Sequence, residues 1–130
     1  MTNDRKKFTI RARAQSFVYA YRGVMHCLKT QHNAWIHLFI SFWVIFFGFF
    51  FNISALEWAV LVLAMGLVLA AETFNTAIEE FVDWLSPQLH PKAGLVKDIA
   101  SGAVLLAAIS ASLVGLLIFL PKMWIFLAQN

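Results

Sequence analysis

Residues 58–83 read WAVLVLAMGLVLAAETFNTAIEEFVD, an apolar run that passes directly into a segment with several acidic side chains. Two other long apolar runs, residues 34–51 and 99–120, lie on either side of it. About 20 apolar residues cross the hydrocarbon layer of a bilayer as an α-helix, so each run is long enough to span a membrane. The sequence therefore predicts three transmembrane helices, at about residues 34–52, 55–85 and 97–120.

The composition agrees with a membrane location. Of the 130 residues, 61% are hydrophobic and 13% are charged, whereas soluble domains are roughly 45–50% apolar. A chain this short cannot cover that much apolar surface with polar groups, so the bilayer must act as its solvent. We expect an all-α membrane protein whose residues 1–130 form a single domain.

Basic residues are concentrated before the first predicted span. Seven of the ten Lys and Arg residues lie there, namely Arg5, Lys6, Lys7, Arg11, Arg13, Arg22 and Lys29. The positive-inside rule then places the N-terminus and the loop before the third span in the cytoplasm, and the C-terminus outside. Residues 9–30 mix apolar and basic side chains, which predicts an amphipathic helix on the cytoplasmic surface. Because the adjoining spans account for these charges, no nucleic-acid partner is expected.

Four polar residues follow the apolar part of the second span: Glu72, Asn75, Glu79 and Asp83. Their spacing of three, four and four residues puts them on one side of an α-helix, and we call them the polar stripe. The stripe is about 16 Å long, so it runs from the hydrocarbon to the cytoplasmic boundary. An ionised side chain inside a bilayer costs at least ~2.5–3.5 kcal/mol, which makes these residues candidates for function.

The chemistry of the stripe suits phosphates. Carboxylate and amide oxygens are ligands for Mg²⁺ that carries a nucleotide, and a desolvated carboxylate can act as a general base. Lys97 is a candidate for binding phosphate, and Asp98 for binding a metal or a sugar hydroxyl. The alternatives are that Lys97 anchors the interface and Asp98 caps a helix. The spacing also allows an interhelical polar cluster or a proton path with Lys97 as its counter-charge.

Local signals mark the ends of the predicted spans. Ser54 is a candidate N-cap for the second span. Residues 86–94 contain two prolines and a glycine among polar residues, so they are predicted to break the helix and form a cytoplasmic loop. The six glycines are scattered and form no glycine-rich phosphate loop, so an ATP site would need another design.

The run Glu72-Thr73-Phe74-Asn75-Thr76-Ala77-Ile78-Glu79, followed by Val82-Asp83 and by Lys97-Asp98 ahead of Ser101-Gly102-Ala103-Val104, matches a known pattern. It resembles the bacterial diacylglycerol kinase and undecaprenol kinase family, over about residues 17–120. The resemblance implies a homotrimer of three-span protomers in the bacterial inner membrane, with active sites shared between neighbours on the cytoplasmic side. It also implies transfer of the γ-phosphate of MgATP to the hydroxyl of a membrane lipid.

The resemblance assigns roles to individual residues. Glu72 matches the general base, and Glu79 matches a ligand of the metal that ATP carries. The residues expected around the nucleotide are Tyr19, Arg13, Asn75, Asp83, His90, Lys97 and Asp98. Ser101 and Trp35 are expected on the lipid side.

Two positions depart from the family pattern. Gln31 stands where the family has a second metal-binding Glu, and a neutral amide should bind Mg²⁺ more weakly. Ala12 stands where a basic contact to ATP is expected, which leaves Arg11 or Arg13 as substitutes. Gln31 keeps a non-catalytic membrane homologue open as an alternative, and the polar stripe alone would also allow a proton-conducting or transport oligomer.

The acceptor lipid is indicated by three short segments: Asn33-x-x-Ile36-His37, Ala55-Leu56-Glu57-Trp58 and Phe119-Leu120-Pro121-Lys122. They resemble the undecaprenol kinases more than the diacylglycerol kinases. Undecaprenol is therefore the expected substrate and diacylglycerol the alternative. His32 and His37 are interpreted as polar residues at the interface.

Overall fold

The computed structural model describes residues 9–86 and 90–129, and this part of the chain folds into four α-helices. They are α1 (Ile10–Thr30), α2 (His32–Phe50), α3 (Ala55–Leu85) and α4 (Pro91–Ala128). Three of them, α2, α3 and α4, are long and apolar enough to cross a membrane, as predicted. The buried share of their most apolar stretch is 11% in α2 and α4 and 17% in α3, so most of these apolar side chains face outward.

The turn between α2 and α3 is specified by local chemistry. Asn52 has a φ of 49°, and the N–H of Ile53 donates to the Gly48 carbonyl at 3.1 Å, which closes the end of α2. Ser54 then caps α3, as predicted. Its Oγ accepts from the Glu57 N–H at 3.3 Å, and Glu57 Oε2 accepts from the Ser54 N–H at 2.7 Å. This capping box satisfies the first free donors of α3.

The ends of the long helices next to the α2–α3 turn are held together by close contacts. A Cβ on Gly48 would lie 2.6 Å from a ring atom of Trp58, so only glycine lets α2 approach α3 at this point. Lys122 on α4 pairs with Glu57 on α3 at 3.1 Å. The ring of Phe126 packs on those of Phe50 and Phe51. The three helices are therefore joined at this end.

Helix α4 is longer than the predicted third span at both ends. It starts at Pro91, because proline needs no N–H at the first helical position and His90 Nδ1 accepts from the Lys92 N–H at 3.2 Å. The predicted loop is therefore wrong for residues 91–94, and residues 87–89 lie outside the described part. Asp98 lies two turns inside α4, so it does not cap the helix. At its C-terminal end α4 continues beyond Pro121 to Ala128, and contacts of Lys122 and Phe126 with the other helices stabilise these last turns.

The core lies mainly between α3 and α4, which make the most extensive contacts in the described structure. The buried residues of α4 are small or β-branched, namely Ala100, Val104 and Ala107, and they let the two helices approach closely. Helix α1 packs on α2 and α3 through Cys27, which is buried. Glu72 and Asn75 of the polar stripe are thus buried among these helices, whereas Asp83 at the other end of the stripe is exposed.

Candidate active site

The upper end of the polar stripe is a buried carboxylate. Glu72 is 1% exposed, and neither of its carboxylate oxygens has a hydrogen-bond partner within residues 9–86 and 90–129. The same holds for Oδ1 of Asn75, one turn along α3. Burying such groups without partners is costly, and a native structure keeps them where a ligand completes the site. This pair of acceptors marks a place for a ligand that donates hydrogen bonds.

Glu72 and Asn75 line a cavity of about 220 Å³ between α2, α3 and α4, which we call the polar chamber. Its other lining residues are Asn33, Ile36 and His37 from α2 and Ser101, Val104, Leu105 and Ala108 from α4. Ser101, one of the two residues expected on the lipid side, therefore lies in the same chamber as Glu72. The chamber is formed by residues from three helices, so it exists only when these helices are packed together.

A larger cavity of about 450 Å³ adjoins the polar chamber, and we call it the apolar channel. The two cavities share His37 and Ala108 in their linings. Along α4 the channel is lined from Ala108 to Met123, which is about 22 Å of helix. Its walls are aliphatic, aromatic and sulfur-containing apart from His37, Ser41 and Ser112. A polar chamber that continues into a long apolar channel fits a molecule with a small polar head and an apolar chain.

The middle of the stripe holds a carboxylate between two amides. Asn75 Nδ2 donates to Glu79 Oε1 at 3.1 Å, and Gln31 Nε2 donates to Glu79 Oε2 at 3.0 Å. Gln31 and Glu79 are 48 residues apart in the sequence, yet the fold brings them into direct contact. The position at which the resemblance expects a second carboxylate therefore adjoins the first.

The chemistry of this group fits a magnesium ion bound to phosphates. The Glu79 carboxylate and the amide oxygens of Asn75 and Gln31 are hard oxygen donors, and phosphates and waters complete the shell of Mg²⁺ in most nucleotide sites. Within the described ranges there is no group of three or more His, Cys, Asp or Glu side chains that could hold a metal.

The lower end of the stripe is an exposed ion pair. Lys97 Nζ donates to Asp83 Oδ1 at 2.8 Å and to Oδ2 at 3.0 Å. Both residues line a cavity of about 350 Å³ between the end of α3 and the start of α4, which we call the helix-end pocket. His90 lines it too. Three of the residues expected around the nucleotide are thus brought together, one helical turn beyond Glu79.

Four other predicted residues lie apart from these groups. Asp98 is exposed, and its carbonyl accepts from the Ser101 hydroxyl at 3.0 Å. Tyr19 and Arg13 are exposed on α1, and Trp35 is 62% exposed on α2. The polar chamber and the helix-end pocket are lined by other residues. The fold of one chain therefore does not bring these four side chains into either cavity.

Sequence reasoning missed two contributors to the polar chamber. Asn33 and His37 line it together with Glu72. Their spacing could have indicated this, because residues four positions apart, such as Asn33 and His37, share one face of a helix. His37 lines the adjoining apolar cavity as well, and its interpretation as a polar residue at the interface stays a prediction.

Polar contacts next to Glu72 join α3 to α1. Thr76 is buried, and its hydroxyl donates to the Glu72 carbonyl at 2.9 Å. The Sγ of Cys27 lies 3.2 Å from the same hydroxyl. On the adjoining face of α3, His26 lies 3.1 Å from Glu80. These contacts fix α1 against the part of α3 that carries the stripe.

The sequence of this chain is similar to those of known membrane lipid kinases. The family model described as prokaryotic diacylglycerol kinase matches residues 18–119. The undecaprenol kinase of Bacillus subtilis is 39% identical over 109 residues, which cover 84% of this chain and 89% of the relative. The diacylglycerol kinase of Synechocystis is 43% identical over 109 residues, covering 83% of this chain and 62% of the relative. The chain therefore belongs to the prokaryotic diacylglycerol kinase family and is a membrane lipid kinase.

Proposed function

We propose that this protein transfers the γ-phosphate of MgATP to the hydroxyl of undecaprenol and forms undecaprenyl phosphate. The observation that carries the proposal is the unpartnered carboxylate of Glu72 in a polar chamber that continues into an apolar channel. A lipid alcohol suits both cavities, because its hydroxyl can donate to Glu72 while its chain fills the channel. The similarity to the Bacillus subtilis undecaprenol kinase supports the choice of acceptor.

The proposed reaction divides the stripe between its two substrates. Glu72 accepts the proton of the lipid hydroxyl, and the oxygen attacks the γ-phosphorus as the bond to ADP breaks. Glu79, with the amides of Asn75 and Gln31, would hold the Mg²⁺ that neutralises charge on the phosphates. Glu72 and Glu79 are seven residues apart, about 10 Å along α3, so the phosphate chain lies between them.

Lys97, Asp83 and His90 hold the rest of the nucleotide in this proposal. Lys97 can exchange its bond to Asp83 for one to a phosphate oxygen, because the ion pair is exposed. Asp98, the residue after Lys97 on α4, binds a sugar hydroxyl in this proposal. Tyr19 and Arg13 serve a nucleotide from α1. Trp35 contacts the acceptor lipid from α2.

We further propose that the enzyme is a homotrimer in the bacterial cytoplasmic membrane, with α1 on the cytoplasmic surface. Support comes from the basic residues ahead of α2. Tyr19 and Arg13 lie away from the cavities of their own chain, which suits a site completed by α1 of a neighbour. Chemical cross-linking in lipid bilayers should give dimers and trimers but no larger species. A protein that stays monomeric while active would contradict the shared site.

Diacylglycerol is the second candidate acceptor, and the 43% identity to the Synechocystis diacylglycerol kinase favours it. The test is purified protein in lipid with radiolabelled MgATP and either undecaprenol or diacylglycerol, followed by separation of the labelled lipids. We expect label in undecaprenyl phosphate and little in phosphatidic acid. Label in phosphatidic acid alone would replace the acceptor, and no label in either lipid would overturn the proposal.

A further inference from the structure

His37 is the one side chain with polar ring atoms that lines both the polar chamber and the apolar channel among the residues of the described structure. The other shared residue, Ala108, comes from α4. A lipid with its hydroxyl beside Glu72 and its chain in the channel would lie against these two residues, because both cavities are lined by them. The junction is therefore formed by an aromatic ring on α2 and a methyl group on α4.

The hydroxyl of a bound lipid needs a donor as well as an acceptor. Its proton can go to Glu72, but its oxygen is oriented only if a second group donates to it. Two donors of the polar chamber are already used: Asn75 Nδ2 donates to Glu79, and the Ser101 hydroxyl donates to the Asp98 carbonyl. His37 lines the chamber together with Glu72 and also lines the channel. Two side-chain donors of the chamber remain among the described residues, the Asn33 amide and a ring N–H of His37, and of these two residues only His37 also lines the apolar channel.

We propose that His37 is a specificity-determining residue for the acceptor lipid. A ring N–H donates a hydrogen bond to the oxygen of the acceptor hydroxyl, and the bulk of the ring at the junction favours a single-chain polyprenol over a two-chain glycerolipid. The physical reason is width: a prenol has one methylene group next to its hydroxyl, whereas diacylglycerol carries two ester branches within three carbons. This inference rests on the proposed function, since it concerns the same hydroxyl that Glu72 deprotonates.

The test compares three substitutions at this position, with undecaprenol and diacylglycerol as acceptors. His37→Gln keeps a donor of similar reach, and we expect its kcat/KM for undecaprenol to stay within about threefold of wild type. His37→Leu keeps the bulk without the donor and should lose about tenfold in kcat/KM for undecaprenol, with the KM for MgATP unchanged. His37→Ala removes the bulk as well and should shift the undecaprenol to diacylglycerol ratio at least about tenfold toward diacylglycerol.

His32→Ala is the matched control, because His32 is an exposed histidine at the start of the same helix and lines neither cavity. Unchanged lipid kinetics in His37→Leu, or an unchanged acceptor ratio in His37→Ala, would overturn the inference while leaving the kinase proposal intact. Lower melting temperatures in all three variants with wild-type selectivity would also overturn it, since His37 would then be structural. Absence of transfer by the wild type to either lipid would instead overturn the proposed function.

Discussion

The two ends of the polar stripe on α3 present carboxylates in opposite surroundings. Glu72 at one end is 1% exposed and has no partner in the described part of the chain. Asp83 at the other end has a side chain that is 65% exposed and is held by Lys97 at 2.8 Å. The two residues are eleven positions apart on the same side of one helix. Burial thus separates two carboxylates that the sequence presents as equivalent.

The difference shows what each end contributes. A buried carboxylate without a partner lowers the stability of the folded chain, so folding alone gives no reason for a carboxylate at position 72. An exposed ion pair adds only ~0–1 kcal/mol, so Asp83 and Lys97 are not needed for the fold either. The pair is free to exchange partners with a charged ligand. We therefore expect substitutions to act differently at the dry end of the stripe (Glu72), at its middle (Glu79 with Gln31) and at its wet end (Asp83 with Lys97).

Replacement of the buried carboxylate should have the largest effect. We expect Glu72→Gln to lower kcat by on the order of 10²–10⁴, because the general base is lost, while nucleotide binding is retained. The melting temperature should stay equal or rise, because an amide is less costly to bury than a carboxylate. Initial rates and equilibrium binding of a fluorescent ATP analogue measure the two effects. Glu80→Gln is the control, since Glu80 is exposed on the same helix. Wild-type turnover by Glu72→Gln would remove the base assignment.

The middle of the stripe should respond through the nucleotide. Glu79→Gln replaces the one carboxylate of its group by a third amide, so the KM for MgATP should rise at least about tenfold. Titration of activity with Mg²⁺ at fixed ATP measures the change. The KM for the lipid should not move, because Glu79 does not line the polar chamber. An unchanged Mg²⁺ titration would show that Glu79 is not a metal ligand.

Position 31 tests whether the amide has weakened the metal site. Gln31→Glu would place a second carboxylate about 3 Å from Glu79, as judged from the present 3.0 Å contact. The Mg²⁺ concentration for half-maximal activity should fall by up to about tenfold, because the charge of the ligands increases. In EDTA the two carboxylates repel, so the melting temperature should fall and recover with Mg²⁺. His32→Glu adds the same charge one residue away. Identical metal dependence in both variants would mean that position 31 is not used.

The wet end should matter for affinity and little for stability. Lys97→Met should raise the KM for MgATP severalfold, because the bond to a phosphate replaces the existing bond to Asp83 and so contributes less than the ~1.5–3 kcal/mol of a charged hydrogen bond. In a double-mutant cycle with Asp83→Asn, the coupling in unfolding free energy should stay below about 1 kcal/mol. Thermal or denaturant unfolding in detergent measures it. A coupling of several kcal/mol would make the pair a structural element.

The smallest effect is expected far from the stripe. Ser54→Ala removes the cap of α3 and should lower the unfolding free energy by about 1 kcal/mol, without changing kcat or KM. Ser110→Ala is the matched control, since Ser110 is exposed in the interior of α4 and its hydroxyl donates only to the Leu106 carbonyl. Altered kinetics in Ser54→Ala would indicate that the N-terminal end of α3 affects the function of the polar stripe.

Features that depend on neighbouring residues were predictable. The number of long apolar helices follows from run lengths and the thickness of a bilayer. The cap at Ser54 follows from its position three residues before Glu57. The start of α4 was not predictable in the same way, because proline and glycine at residues 91–94 fit a loop as well as a first helical turn.

The sequence by itself determined which residues of α3 share a side, because the helical period places Glu72, Glu79 and Asp83 there whatever surrounds them. Only the tertiary structure decided that Glu72 is buried without a partner, that Gln31 contacts Glu79, and that His37 lies where two cavities meet. These facts depend on contacts between helices that are distant in the chain. Such contacts are set by the packing of α1, α2 and α4 around α3. No local pattern in the sequence specifies the distance between two residues on different helices.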